Sequence, residues 1–144
     1  LTAFIPMLMD TGGNAGSQAC VSIIRGISLN EIEFRDLGRV VWKEIRVSVL
    51  CGVCLAVACF AKIIVIDMLL LKSESVTYLV AFVVCATMAV TVCLAKIVGS
   101  TLPLLAKKLG FDPAVMASPI ITTIVDFLSL LVYFAFATAM LGIG

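Results

Sequence analysis

The sequence predicts an all-α integral membrane protein: four transmembrane helices per chain plus a short amphipathic cytoplasmic helix. Three observations carry that expectation. Of the 144 residues, 62% are hydrophobic and only 13% are charged, and the mean hydropathy is +1.23. A soluble domain of this size has too little interior to hide so much apolar surface, so the expected solvent is the lipid bilayer. Apolar runs at about residues 1–27, 45–71, 75–102 and 114–143 each reach the roughly 20 residues that a spanning helix needs. Period-2 alternation is absent and the runs are too long for membrane strands.

The first run holds Gly12, Gly13 and Gly16 around Asn14. If it is helical throughout, Asp10, Asn14, Ser17, Gln18 and Arg25 share one face, with Gly12 and Gly16 on the other side. The glycines then permit close helix approach. The alternative is a locally unwound helix whose carbonyls face a cavity. Residues 28–46 are charged. Ser28 and Glu31 have capping-box spacing, which predicts a separate short interfacial helix carrying Trp42. The second run carries Ser48, Gly52 and Ala56 at steps of four, a packing face of small residues. The third runs without charge from Ser75 to Ala95, and Thr87 and Thr91 read as packing residues whose hydroxyls can bond back to their own helix. Pro103 and Pro113 bracket a loop with Gly110 before the fourth run. Arg25, Arg35, Arg39, Lys43 and Arg46 flank the first loop, and Lys107 and Lys108 the third, which predicts that both are cytoplasmic. Lys62 and Lys96 sit towards run ends, where snorkelling suffices. The chain starts at Leu1 inside an apolar stretch without a basic leader, and reads as part of a longer protein.

Composition excludes several chemistries. A net charge of +1 gives no basis for nucleic-acid binding. With no histidine, His triads, His metal sites and His proton relays are excluded. The glycine cluster lacks the strand and lysine of a phosphate loop. Six cysteines lie in apolar stretches. Cys51 and Cys54 have C-x-x-C spacing, which can mean redox or metal chemistry, but aliphatic surroundings favour thiols that fill helix contacts.

Asp126 is the charge that this composition does not absorb. From Pro113 to Gly144 no other residue is charged. A carboxylate at mid-bilayer costs about 3 kcal/mol even on the lenient insertion scale, so such groups face a cavity, a partner or an ion. Ser118, Thr122, Asp126, Ser129 and Tyr133 follow at steps of 4, 4, 3 and 4, within an arc of about 80° on one helix face. The stripe and the Asn14 face read as two walls of a cation path. The donors are all oxygens, which suit hard cations. One deep carboxylate per chain is too few to strip water from Mg²⁺, so a largely hydrated ion fits better, and a two-fold dimer would supply two carboxylates. Three other readings stay open. Asp126 could pair with Arg25, Lys96 or a helix terminus. Asp10 and Asp126 are raw material for an intramembrane aspartyl dyad. Asp126 could also couple cation transport to H⁺ or Na⁺.

Two motifs then resemble one family. Pro6-Met-Leu-Met-Asp-Thr-Gly-Gly-Asn-Ala-Gly-Ser-Gln18, followed by Val21-Ser-Ile-Ile-Arg-Gly26, resembles the second helix of the MgtE magnesium channels. Leu102-Pro-Leu-Leu-Ala-Lys-Lys-Leu-Gly-Phe-Asp-Pro-Ala114 and Ser118-Pro-Ile-Ile-Thr-Thr-Ile-Val-Asp126 resemble the entry to its fifth. The resemblance implies an MgtE-type pore domain over residues 1–144, similar to helices two to five. The family's first helix and cytosolic sensor domains would belong to the full-length protein. It further implies a homodimer in the cell (inner) membrane, with the pore between its subunits, conducting Mg²⁺ down its gradient. By the same resemblance, Asp126 holds hydrated Mg²⁺, Thr122 offers a backbone oxygen, and Ser118 and Asn14 occupy polar pore positions. Asp10, Thr123, Ser129 and Gln18 are expected to line the pore beside them.

Overall fold

The computed structural model describes residues 2–70, 77–116 and 119–142. The loop residues Lys72 and Ser75, and the candidate Ser118, lie outside the described residues. The architecture is all-helical among them: α1 (Ile5–Ser28), α2 (Leu37–Lys62), α3 (Tyr78–Lys108) and α4 (Pro119–Leu141). Among the described residues, three helical stretches are long and apolar enough to cross a bilayer: Phe34–Ile66, Tyr78–Lys108 and Pro119–Met140. At 24 residues α1 has the length to span, but its polar strip keeps it out of that class.

α1 is one unbroken helix through Gly12, Gly13 and Gly16, so the unwound alternative does not hold. Pro6 sits in its first turn, where a missing N–H costs nothing. The helix ends when Asn30 takes a positive φ of 56° and Glu31 N donates to Gly26 O at 2.9 Å. Ile32 then folds back onto Gly26, where a Cβ would collide with its side chain.

The separate amphipathic helix is not formed. Ser28 is the last residue of α1 and donates its hydroxyl to Ile24 O at 2.9 Å, so it caps nothing downstream. The capping box lies instead at Glu33 and Asp36, where Glu33 N donates to the Asp36 carboxylate at 3.1 Å. From Leu37 the charged stretch and the second apolar run form one continuous helix to Lys62, because no proline interrupts them. A π-helical stretch, Ile63–Leu70, extends it.

Pro103 likewise departs from expectation, being buried inside α3 rather than starting a loop. Membrane helices tolerate an internal proline when nearby groups adjust. In that turn the hydroxyls of Ser100 and Thr101 both donate to Ile97 O, at 3.0 and 2.7 Å. The connection to α4 therefore begins at Leu109, with Gly110 at a φ of +83°.

α3 is the central helix and packs against the other three. Val83, Val84 and Val92 are fully buried on it. The small face of α2 behaves as expected: Ser48 and Gly52 are buried, and Gly52 meets the Ala89 backbone on α3. At one end Phe4, Leu8, Cys59, Ile63, Cys85 and Tyr133 form an apolar cluster. At the other, Ile23, Ile27, Val40 and Leu104 do the same.

Candidate cation site

The glycines of α1 decide how its polar face is placed. A methyl added at Gly12 would lie 2.7 Å from Thr91 Cγ2 and 3.0 Å from Ser129 Oγ, and one at Gly16 would lie 3.2 Å from Ala95 O. Gly99 of α3 rests on the Gly16 backbone so closely that a Cβ would run into the Gly16 carbonyl. This small face is buried against α3 and α4. The 3.6-residue period then turns Asp10, Asn14 and Gln18 outward, and all three are exposed.

Where α1 crosses α4, a recess of about 140 Å³ opens, bordered by Met9, Asp10, Gly13, Asn14, Thr122 and Asp126. Asp126 is half-buried. Gly13 lies opposite its carboxylate: an added methyl would sit 3.6 Å from Oδ1 and 3.5 Å from Thr122 Cγ2. Two carboxylates thus border one recess, and among the described residues neither has an ion-pair partner. A water needs about 10–15 Å³ of such space, so the recess has room for several. Carboxylate, amide and hydroxyl groups around water make a hard-donor set that attracts cations.

The lysine that could have neutralised Asp126 is committed elsewhere. Lys96 Nζ lies 3.7 Å from Glu44 Oε2, and the side chains are only 11% and 8% exposed. Lys96 therefore does not snorkel, whereas Lys62 is exposed and lies over the Phe4 ring at 5.5 Å. Lys96 also borders a second cavity of about 430 Å³ with Asp10, Asn14 and Gln18 of α1 and Cys51 and Cys54 of α2. Asp10 and Asn14 border both cavities.

The recess brings together Asp126, Thr122, Asn14 and Asp10. Gln18 borders the second cavity instead. Thr123 is exposed next to the recess, its hydroxyl donated to Pro119 O at 2.8 Å. Ser129 and Tyr133 are not brought to the recess. They are 1% and 2% exposed, and Ser129 donates to Val125 O at 2.7 Å. The stripe on α4 divides because the N-terminal end of α1, at Leu8 and Gly12, covers it beyond Asp126. The Glu44–Lys96 pair was missed by sequence reasoning. Its one signal was a lysine within an apolar run, and its partner became visible only once α2 proved continuous. Thr87 and Thr91 are buried packing residues, and neither hydroxyl makes a hydrogen bond among the described residues.

Comparison with known proteins gives this geometry a family. Residues 5–136 match the model of the MgtE family, described as divalent cation transporters. The chain is 33% identical over 141 residues to the magnesium transporter MgtE of Bacillus subtilis, covering 98% of this chain and 30% of that protein. It is similarly 33% identical to the magnesium transporter MgtE of Thermus thermophilus, covering 98% of the chain and 29% of the relative. For the magnesium transporter MgtE of Enterococcus faecalis the figures are 32%, 96% and 29%. The chain thus spans about 30% of the length of these curated relatives. It is a multi-pass membrane protein, and it belongs to the MgtE family of divalent cation transporters.

Proposed function

We propose that this chain forms the Mg²⁺-conducting part of a membrane transporter, with all four helices crossing the bilayer and α1 and α4 lining the path. The observation that carries the reading is the recess between those helices. Asp126 meets Asn14, Thr122 and Asp10 there without an ion-pair partner among the described residues, in a chain of a divalent cation transporter family. All three relatives named above are magnesium transporters.

In this reading Mg²⁺ arrives hydrated. The Asp126 carboxylate accepts hydrogen bonds from the ion's water shell, with the Asn14 amide and a Thr122 backbone oxygen beside it. A single carboxylate leaves a divalent ion half-neutralised, and a second copy of the chain across a two-fold axis supplies the other. Asp10 adds negative charge at the edge of the recess and concentrates cations there. Ions move down their electrochemical gradient. Cytosolic sensor domains regulate the pore in the full-length protein. The aspartyl-hydrolase reading has no support in a family of transporters.

The test is Mg²⁺ uptake into vesicles carrying Asp126→Ala, measured with an enclosed Mg²⁺-sensitive dye. Uptake is expected to fall to background while the protein still elutes as a folded species. Undiminished uptake overturns the assignment. Imposed pH or Na⁺ gradients are expected to leave wild-type uptake unchanged, and a dependence on either would make Asp126 a coupling group instead.

A further inference from the structure

The C-x-x-C spacing on α2 is left unexplained by the cation path. All six cysteines are thiols, and four do not open onto the large cavity. Cys20, Cys59 and Cys85 are buried, the last two in the apolar cluster with Phe4 and Tyr133. Cys51 and Cys54 are different: one is half-buried, the other exposed, and both border the 430 Å³ cavity between α1, α2 and α3. Cys51 packs at the edge of the apolar cluster around Cys20 and Val92 and opens onto the cavity as well.

We propose that Cys51 and Cys54 form a binding site for a thiophilic divalent cation of the d¹⁰ class, such as Cd²⁺ or Zn²⁺, inside this cavity. Helix geometry favours a metal bridge over a disulfide. Residues three apart on a helix have Cβ atoms about 5–6 Å apart, whereas a disulfide wants about 3.8 Å and would strain an unbroken helix. Two metal–sulfur bonds of about 2.3 Å each span up to about 4.6 Å between sulfurs, which side chains on one helix face can meet. Among the described residues no group of three or more His, Cys, Asp or Glu side chains is placed to hold a metal. The proposed site accordingly has two thiolates as its protein ligands and leaves the remaining positions to water. Binding releases the two thiol protons to water and leaves a neutral M(SR)₂ unit, the charge state that a membrane cavity tolerates best. The lysine on the same wall does not leave a bare positive charge, because Glu44 compensates it from behind.

The donors also separate this site from the recess at Asp126. Oxygen donors select hard ions and thiolates select soft ones, so one family of ions would be carried and another trapped beside the path. Asp10 and Asn14 border both spaces. A soft ion held at Cys51 and Cys54 therefore places a bulky occupant next to the route of Mg²⁺. This consequence rests on the function proposed above, whereas the site itself does not.

The experiment is a Cd²⁺ titration of the purified full-length protein, following the thiolate-to-Cd²⁺ charge-transfer band in the ultraviolet. The wild type and Cys59→Ser/Cys85→Ser are expected to show the band with one Cd²⁺ per chain, and Cys51→Ser/Cys54→Ser to lose it. A wild type without the band, or a Cys51→Ser/Cys54→Ser variant that keeps it, overturns the site. In uptake assays Cd²⁺ is expected to slow Mg²⁺ entry at least tenfold in the wild type and not in Cys51→Ser/Cys54→Ser, whose uptake without Cd²⁺ is normal. Equal slowing in both overturns the placement beside the path while leaving the binding result standing.

Discussion

Gly99→Ala should be the most damaging small substitution in this protein, and the reason is geometric. A Cβ on Gly99 meets the Gly16 carbonyl, with the Gly16 Cα also only 3.1 Å away. Overpacking a core costs about 1–3 kcal/mol when side chains can shift. Here the obstacle is backbone, which cannot rotate aside, so the cost belongs at about 3 kcal/mol or above, roughly a hundredfold in the folded population. The same substitution elsewhere supplies the scale. Gly38 on α2 has nothing within 4 Å of an added Cβ, and Ala there should gain up to about 1 kcal/mol of helix propensity. A methyl at Gly13 would make ordinary contacts at 3.5 and 3.6 Å. Gly13→Ala should therefore keep wild-type stability while narrowing the recess at Asp126 and slowing Mg²⁺ uptake. The assay is the temperature at which detergent-solubilised protein leaves its monodisperse peak in size-exclusion chromatography. The expected order is Gly38→Ala at or above wild type, Gly13→Ala near it, and Gly99→Ala far below. A Gly99→Ala protein as heat-stable as Gly38→Ala would refute the close α1–α3 crossing, and with it the placement of the polar face of α1.

Two further predictions concern charge. Lys96→Met leaves Glu44 buried and uncompensated, which should cost about 3–5 kcal/mol, while Lys96→Met/Glu44→Gln should recover most of that; thermal scans of the two proteins check it, and a double variant no more stable than the single one would show that the pair is not the cause. Asp10→Asn should weaken apparent Mg²⁺ affinity by less than about tenfold, the effect of roughly 1 kcal/mol of attraction across a wet site. That loss should shrink at high ionic strength, and a loss of uptake as complete as that of Asp126→Ala would make Asp10 a direct ligand.

What could be read from the residues was what periodicity controls. The helical class, the small packing face of α2 and the polar faces of α1 and α4 follow from spacings of three and four on apolar helices. What could not be read depends on where one helix crosses another. Ser129 shares a helix face with Asp126, yet α1 covers it and leaves Asp126 open. Nothing in the α4 sequence marks that crossing point. Boundaries failed where two signals compete. Ser28 has a capping-box partner in Glu31, but its hydroxyl is drawn back to Ile24 O within its own helix. Pro103 signals a break, but in a crowded apolar setting α3 continues past it for five residues to Lys108.

The helix that fits lipid least well is the one that explains Asp126. α1 falls outside the apolar spans because Asp10, Asn14 and Gln18 interrupt it, and those side chains lie on the exposed side of the chain rather than in its core. Bare hydrocarbon cannot satisfy an amide or a carboxylate, and each such group left unpaired costs several kcal/mol. Burying the strip inside the same chain is blocked, because the opposite face of α1 is already committed to α3 and α4 through Gly12, Gly16 and Gly99. In a bilayer, water or a further protein segment, from the rest of the longer protein or from a second copy of the chain, must therefore meet the strip. Asp126 faces the same space. A hydrated path along this face, as proposed above, would satisfy α1 and α4 together. The polar strip on α1 is in this way a physical argument for the proposed path that does not depend on Asp126 itself.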